Sequence, residues 1–190
     1  MNSNKHASDS LGREAGLARI LLSIVAFAVA AIAVLITMRY ASRPLLEWQA
    51  WRETQTALTS YWMMRQGWSL AYQTPVLGYP WEIPLEFPIY QAIVAFIAAL
   101  GSIPLDPVGR WVSLVFLVAC LWPAWQITRR LDLPAITIWI FAILLLSSPI
   151  YLFYGRNFLV ETAALFFTFA SIPYALDLRA ARPKATSGVW

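Results

Sequence analysis

The sequence predicts an all-α integral membrane protein with about four transmembrane helices and one long outer loop. Apolar residues make up 59% of the chain and charged residues only 13%, whereas a soluble domain has about 25% charged residues. Uncharged stretches long enough to cross a bilayer recur along the chain. Most basic residues lie beside these stretches, a pattern typical of cytoplasmic helix ends. Together these three observations exclude a disordered chain and disfavour an ordinary soluble domain.

The residue types present limit the chemistry that the chain can perform. Cys120 is the only cysteine and His6 the only histidine, so neither an internal disulfide nor a cysteine metal cluster can form. Any reaction must use carboxylates, arginines, amides, hydroxyls or a divalent cation held by oxygen ligands. No glycine-rich phosphate loop, G-x-S-x-G or H-E-x-x-H motif occurs. The excess of 14 basic over 10 acidic residues indicates cytoplasmic helix ends rather than nucleic acid binding.

Four spans place every cluster of basic residues on the cytoplasmic side. These clusters precede the first span, occupy the connection at Arg129 and Arg130, and follow the last span. The predicted spans cover residues 20–38, 111–128, 133–154 and 158–177. The tails, residues 1–18 and 178–190, are then cytoplasmic, and we expect an integral protein of a bacterial inner (plasma) membrane. The first span is longer than the apolar part of a signal peptide, so we expect a signal anchor.

Residues 39–110 are predicted to form the outer loop, with two helices of its own. Residues 54–66 have an amphipathic pattern, typical of a helix that lies in the membrane interface. Residues 89–100 form an apolar helix of only about 18 Å, which is too short for a hydrocarbon core of about 30 Å. We therefore expect an interfacial or re-entrant helix there. If residues 88–101 span the membrane instead, every later orientation reverses.

The outer loop contains half of the ten tryptophans. These aromatics have two interpretations, which are anchoring in the headgroup layer or a surface that stacks on sugars or binds lipid. Three prolines within residues 80–88 keep the backbone extended and present Glu86 beside the short apolar helix. An acid next to a bilayer is costly unless it has a partner or a function.

Four segments, taken in order, resemble the N-terminal part of membrane glycosyltransferases of the GT-C class. The segments are residues 51–57 (WRETQTA), 84–91 (PLEFPIYQ), 109–110 (GR) and 155–162 (GRNFLVET). That family includes protein O-mannosyltransferases and lipid A aminoarabinose transferase. The resemblance covers roughly residues 17–177, and its motifs are specific in combination rather than singly.

The resemblance implies transfer of a sugar from a polyprenyl-phosphate carrier to an acceptor on the outer face. It implies catalytic carboxylates among Glu53, Glu86 and Glu161, which would accept the acceptor's proton or hold a divalent cation. Arginine suits the donor's phosphate because its planar group bonds two oxygens at once. The residues expected to bind substrate are Glu47, Arg52, Gln55, Arg110 and Arg156. In many relatives the position of Gln55 is an aspartate.

Each candidate also has a structural interpretation. Arg110, at a helix end, could extend to the headgroups. Arg52 and Glu53 could be solvated loop residues. Arg156 and Glu161 could form an ion pair near a helix N-terminus.

Two other functional classes remain open at this point. Family members have many more spans, so a truncated or split, non-catalytic protein of the same fold is one alternative. A second polypeptide would then supply the missing spans. A small transporter subunit is another alternative, although no internal repeat is evident.

Overall fold

The computed structural model describes residues 3–45, 48–74 and 86–181, which are mostly helical. The helices are α1 (Ser3–Tyr40), α2 (Ala50–Gln66), α3 (Ile89–Gly101), α4 (Leu105–Ala119), α5 (Leu121–Arg130), α6 (Ile136–Ser147), α7 (Pro149–Arg156) and α8 (Glu161–Ala181). The predicted all-helical class is confirmed for the described part of the chain.

The part of α1 from Gly16 to Tyr40 is the first segment that is long and apolar enough to cross a membrane. Only 17% of its most apolar stretch is buried within the protein. Its exposed side chains are large and apolar, and they include Leu21, Phe27 and Leu35. So extensive an apolar surface is stable against lipid rather than water. The span predicted over residues 20–38 lies inside this helix.

α4 and α5 together form the second candidate span, Leu105–Arg130. The structure begins this helix at Leu105, rather than at residue 111 as the sequence predicted. Pro104 precedes the first turn and Asp106 lies in it, where a negative charge stabilises the helix N-terminus. Arg110 was expected at the edge of the span, but its side chain is buried inside the fold. A charged residue therefore does not mark the helix boundary here.

The continuous span predicted over residues 133–154 is instead two helices, α6 and α7, bent by 69°. Ser148, between them, has an extended backbone with φ −66° and ψ 124°, and Pro149 begins α7. Proline cannot donate a backbone hydrogen bond to the preceding turn, and it disfavours a helical conformation at the residue before it. The two helices count as one span only if they cross the membrane as a broken pair.

α8 occupies most of the predicted fourth span, residues 158–177, but it extends from Glu161 to Ala181. It has 21 residues, yet it is not among the helices apolar enough to cross a membrane. The described residues thus contain two candidate spans, or three if the bent pair is counted. The four-span arrangement stays a prediction.

α2 and α3 lie between the first two candidate spans and pack against each other. α2 begins at Ala50, earlier than the predicted residue 54, and ends at Gln66. α3 occupies Ile89–Gly101, where a short apolar helix was predicted over residues 89–100. A buried core joins α3, α4 and the start of α8. Its members are Tyr90, Val94, Ala98, Val108, Val112, Phe158 and Ala163. This core brings the beginnings of α3 and α8 next to α2, which positions the candidate site.

Candidate functional site

Arg52 joins two carboxylates that are distant in the sequence. Its Nη2 atom lies 3.2 Å from Oε1 of Glu86 and 2.9 Å from Oε1 of Glu161. α2 supplies the arginine, the segment before α3 supplies one acid, and the first turn of α8 supplies the other. The three side chains are 45%, 22% and 27% exposed, in that order. We call Arg52, Glu86 and Glu161 the carboxylate cluster, which is half-buried and remains accessible.

Glu86 is held in place by several neighbours. Its Oε1 atom pairs with Arg52, and its Oε2 atom accepts a hydrogen bond of 2.9 Å from Nε2 of Gln91. The hydroxyl of Tyr72 donates to the backbone carbonyl of Glu86 at 3.3 Å. Both carboxylate oxygens of Glu86 are therefore engaged, and the orientation of its side chain is well defined.

Within the described part of the chain, Glu161 has one paired oxygen and one unpaired oxygen. It lies in the first turn of α8, where the helix dipole stabilises a negative charge. Its Oε1 atom pairs with Arg52. Its Oε2 atom is buried and has no hydrogen-bond partner among the described residues. A buried carboxylate oxygen without a partner is energetically costly, so this atom is an unsatisfied hydrogen-bond acceptor.

A mostly apolar cleft of about 320 Å³ adjoins the carboxylate cluster. It lies between the start of α3 and the first turns of α8. Its lining residues include Glu86, Phe87, Tyr90, Val160, Ala163 and Phe167. Among these described residues only Glu86 is charged. A mainly apolar cavity of this size with a polar group in its lining is typical of a small-molecule site.

Glu53 and Arg110 form a second, fully buried ion pair. The Nη2 atom of Arg110 lies 4.0 Å from Oε2 of Glu53, and both side chains are 0% exposed. Arg110 also donates to the backbone carbonyls of Tyr40 and Pro44. The arginine on α4 thus binds the C-terminal end of α1, the segment that follows it, and α2. The substrate and proton-transfer roles expected for this pair stay predictions. Its burial favours a role in positioning Arg52, because Glu53 is the next residue on α2.

Tyr90 links α3 to α4 and to the residues before α8. Its hydroxyl donates to the carbonyl of Gly109 at 2.8 Å and lies 2.8 Å from Oγ of Ser113. The Ser113 hydroxyl in turn donates to the carbonyl of Leu159 at 3.1 Å. Burial raises the pKa of the Tyr90 hydroxyl well above its usual range, and the negative charge of Glu161 raises it further. The hydroxyl therefore stays protonated and holds the start of α8 in place.

The other predicted residues lie elsewhere. The guanidinium carbon of Arg156 lies 4.0 Å from the ring centre of Tyr40 and 5.5 Å from that of Phe153, an arrangement that stabilises a cation over aromatic rings. Gln55 is half-buried on α2. Glu47 lies outside the described residues. The substrate contacts predicted for Arg156 and Gln55 stay predictions.

Three residues at the site were not among the sequence-based candidates. Gln91 and Tyr72 hold Glu86, as described above. Asn157 is completely buried beside the start of α8, and neither of its amide atoms has a hydrogen-bond partner within the described ranges. Gln91 and Asn157 occur in the segments that carry the family resemblance, so a signal for them existed. Tyr72 follows α2 in an irregular segment and carried no such signal.

The positive charge between the two accessible carboxylates comes from Arg52. Within residues 3–45, 48–74 and 86–181, no three His, Cys, Asp or Glu side chains form a group that could hold a metal ion. A divalent cation between Glu86 and Glu161 would require Arg52 to move away.

In comparisons with known proteins, no family model, curated protein or solved structure matches this chain.

Proposed function

We propose that this chain is a membrane glycosyltransferase module that takes a sugar from a polyprenyl-phosphate carrier at the outer face of a bacterial inner membrane. The observation that supports the proposal is the carboxylate cluster beside an apolar cleft, which Glu86 lines. An apolar cleft suits a prenyl chain, and an arginine paired with two acids suits a phosphate and a reacting hydroxyl. The candidate spans are consistent with a membrane location.

Arg52 is the proposed phosphate-binding residue. In the structure its guanidinium contacts two carboxylates, and its side chain is 45% exposed. A donor phosphate would replace part of these contacts and accept hydrogen bonds from the planar guanidinium. As the sugar leaves the phosphate, negative charge grows on the phosphate oxygen, and a fixed arginine stabilises that charge.

Glu161 is the proposed catalytic base. Its Oε2 atom is unengaged within the described structure, whereas both oxygens of Glu86 have partners. The acceptor hydroxyl gives its proton to Glu161 while its oxygen bonds to the anomeric carbon. The bond between that carbon and the phosphate oxygen breaks, and the phosphate leaves with the electron pair. A single displacement of this kind inverts the anomeric carbon.

A binding experiment with polyprenyl phosphate tests the proposal. The purified chain is reconstituted in lipid nanodiscs, and its affinity for a short-chain polyprenyl phosphate is measured. We expect saturable binding that Arg52→Gln weakens about tenfold or more, because a hydrogen bond between charged groups contributes about 1.5–3 kcal/mol. Arg65→Gln is the matched control, since Arg65 lies on the same helix and stacks over Tyr61 instead. Arg65→Gln should bind like the unchanged chain.

Two results would contradict the proposal. One is the absence of saturable binding to the unchanged chain, which would favour a non-catalytic membrane protein. The other is equal affinity of the Arg52→Gln and Arg65→Gln variants, which would separate the carboxylate cluster from the phosphate site.

A further inference from the structure

A second pocket lies at the other end of α2, where that helix turns into the segment that follows it. Its volume is about 170 Å³, below the lower limit of about 300 Å³ for drug-sized sites. It therefore has room for roughly one ring. Its lining residues include Trp62, Gln66, Trp68, Ser69, Tyr72 and Gln73. We call these six residues the aromatic pocket.

The side chains of the aromatic pocket suit a neutral, hydroxyl-rich ligand. Two indoles and a phenol offer flat apolar faces, and two amides and a hydroxyl can each donate and accept hydrogen bonds. None of the described lining residues is charged. A phosphate or carboxylate ligand would require a cation, which these residues do not provide. This chemistry favours the ring of a neutral sugar over a phospholipid headgroup.

The indole nitrogen of Trp62 provides an independent observation. Its Nε1 atom is buried and has no acceptor within the part of the chain that the structure describes. An indole N–H can only donate, and burying a donor without an acceptor costs about 1–3 kcal/mol. An oxygen of a bound sugar would supply the missing acceptor. Trp68 is 59% exposed, so one wall of the pocket remains accessible.

The backbone at Gly67 shapes the pocket. Its φ of 88° lies in the left-handed region that favours glycine. The backbone N–H of Gly67 donates to the carbonyl of Met63 and ends α2. A Cβ atom at Gly67 would meet nothing within 4 Å, so the turn, rather than close packing, requires glycine. This turn places Trp62 and Trp68 in the same pocket.

The aromatic pocket is connected to the carboxylate cluster. Tyr72 lines the pocket, and its hydroxyl donates to the backbone carbonyl of Glu86. Trp62 is ten residues from Arg52 on α2, about 15 Å at 1.5 Å per residue. A ligand would therefore need to be longer than one sugar to reach both places.

We propose that the aromatic pocket binds one neutral sugar ring of a glycan acceptor while the reacting hydroxyl lies at the carboxylate cluster. The assignment to the acceptor rests on the proposed function, whereas the binding of a neutral sugar does not. The binding experiment below uses no transfer reaction, so the two proposals can fail separately.

The experiment measures binding of methyl glycosides by saturation-transfer NMR. The chain is prepared in nanodiscs without glycoside detergents, which would compete for the pocket. The probes are the methyl glycosides of glucose, mannose and N-acetylglucosamine, with glycerol phosphate as an anionic comparison. We expect millimolar binding of at least one glycoside and none of glycerol phosphate.

Variants assign the binding to the pocket. Trp62→Phe keeps a ring but removes the N–H, and we expect about three- to tenfold weaker binding from the loss of one hydrogen bond. Trp68→Ala removes an exposed face and should weaken binding about tenfold. Trp51→Ala is the matched control, because Trp51 is 61% exposed on the same helix but does not line the pocket. Glu161→Gln should bind the glycoside normally even if it has lost transfer activity.

Three results would overturn the proposal. The first is no saturation transfer to any glycoside, which would leave the tryptophans as interfacial anchors. The second is a preference for glycerol phosphate, which would indicate a lipid headgroup site. The third is equal weakening by Trp51→Ala and Trp68→Ala, which would show that binding is not confined to the aromatic pocket.

Discussion

Glu86 and Glu161 both pair with Arg52, yet their environments suit them to different roles. Glu86 is saturated by Arg52 and Gln91, and its backbone is held by Tyr72. Glu161 has a buried oxygen without a described partner. Because both oxygens of Glu86 have partners, Glu86 is suited to orient Arg52. Because one oxygen of Glu161 has no partner among the described residues, Glu161 is suited to take a proton.

The first prediction separates these two roles. Glu161→Gln should lower the rate of sugar transfer at saturating donor by about 100-fold or more, because general base catalysis contributes about 10²–10⁴. Binding of polyprenyl phosphate should remain, since Arg52 is still present. Glu14→Gln, an exposed position on α1, should leave both quantities unchanged. Full transfer by the Glu161→Gln variant would exclude this residue as the base.

The buried ion pair of Arg110 and Glu53 is expected to stabilise the fold. Removing one member of a buried ion pair leaves the other charge uncompensated and costs about 3–5 kcal/mol. Arg110 has additional bonds to the carbonyls of Tyr40 and Pro44, which its loss would also break.

The second prediction follows from that cost. Arg110→Met should lower the unfolding temperature in detergent by about 5 °C or more, and adding Glu53→Gln should restore part of the loss. Unfolding can be followed by the reaction of a maleimide dye with Cys120, which is the only cysteine and is completely buried. An unchanged unfolding temperature for Arg110→Met would mean that the pair contributes no stability.

At the scale of elements, two glycines allow helices to approach closely. A Cβ atom at Gly109 on α4 would lie 2.5 Å from the ring of Phe158, before α8. A Cβ atom at Gly155 on α7 would lie 2.6 Å from Leu117 on α4. Phe158 is completely buried, and its rigid ring yields less easily than a flexible side chain. The first contact holds the residues before α8, and with them the start of the helix that carries Glu161, close to α4.

The third prediction uses a pair of glycine variants. Gly109→Ala should destabilise the protein by about 1–3 kcal/mol, the usual cost of adding a methyl group to a packed core. Gly16→Ala should be neutral or stabilising, because a Cβ at this exposed position of α1 meets nothing within 4 Å and alanine favours a helix. The dye reaction of Cys120 measures both. Equal unfolding temperatures for the two variants would contradict the close packing of α4 on Phe158.

At the scale of the whole molecule, the number of helices that cross the membrane determines on which side each tail lies. The described helices include two that can cross a membrane, and a bent pair that can form a third span. α8 packs against α4 and α5 along its length. The positions of the basic residues still predict that both tails are cytoplasmic.

The fourth prediction tests that orientation by cysteine labelling. In a Cys120→Ala background, a cysteine at Ser69 should react with an impermeant maleimide from the outer side. A cysteine at Thr186, outside the described residues, should react only after the membrane is opened. Labelling of Thr186 from outside would mean that an odd number of segments crosses the membrane, as it would if the bent pair crossed and α8 did not, or if α3 were a span in addition to the four predicted.

The sequence alone predicted the helical membrane class, a short apolar helix near residues 89–100, and a candidate set that contains Arg52, Glu86 and Glu161. These features depend on hydropathy, helix length and local residue types, which are properties of neighbouring residues. The same local reasoning placed the start of α4 too late, because a charged residue such as Arg110 normally marks the end of a span. It also treated α6 and α7 as one span, because hydropathy and length alone do not show a bend.

Only the tertiary structure decided which charges meet. Arg52 contacts Glu86 and Glu161, and these three residues lie in separate parts of the chain. Glu53, the next residue in sequence, pairs instead with the buried Arg110 on α4. Adjacent residues on a helix point about 100° apart, so the packing of α2 against α3 and α4 determines which one faces the cleft. Hydropathy carries no information about that packing. The close contact of Gly109 with Phe158 is what brings the first turn of α8, and with it Glu161, to Arg52.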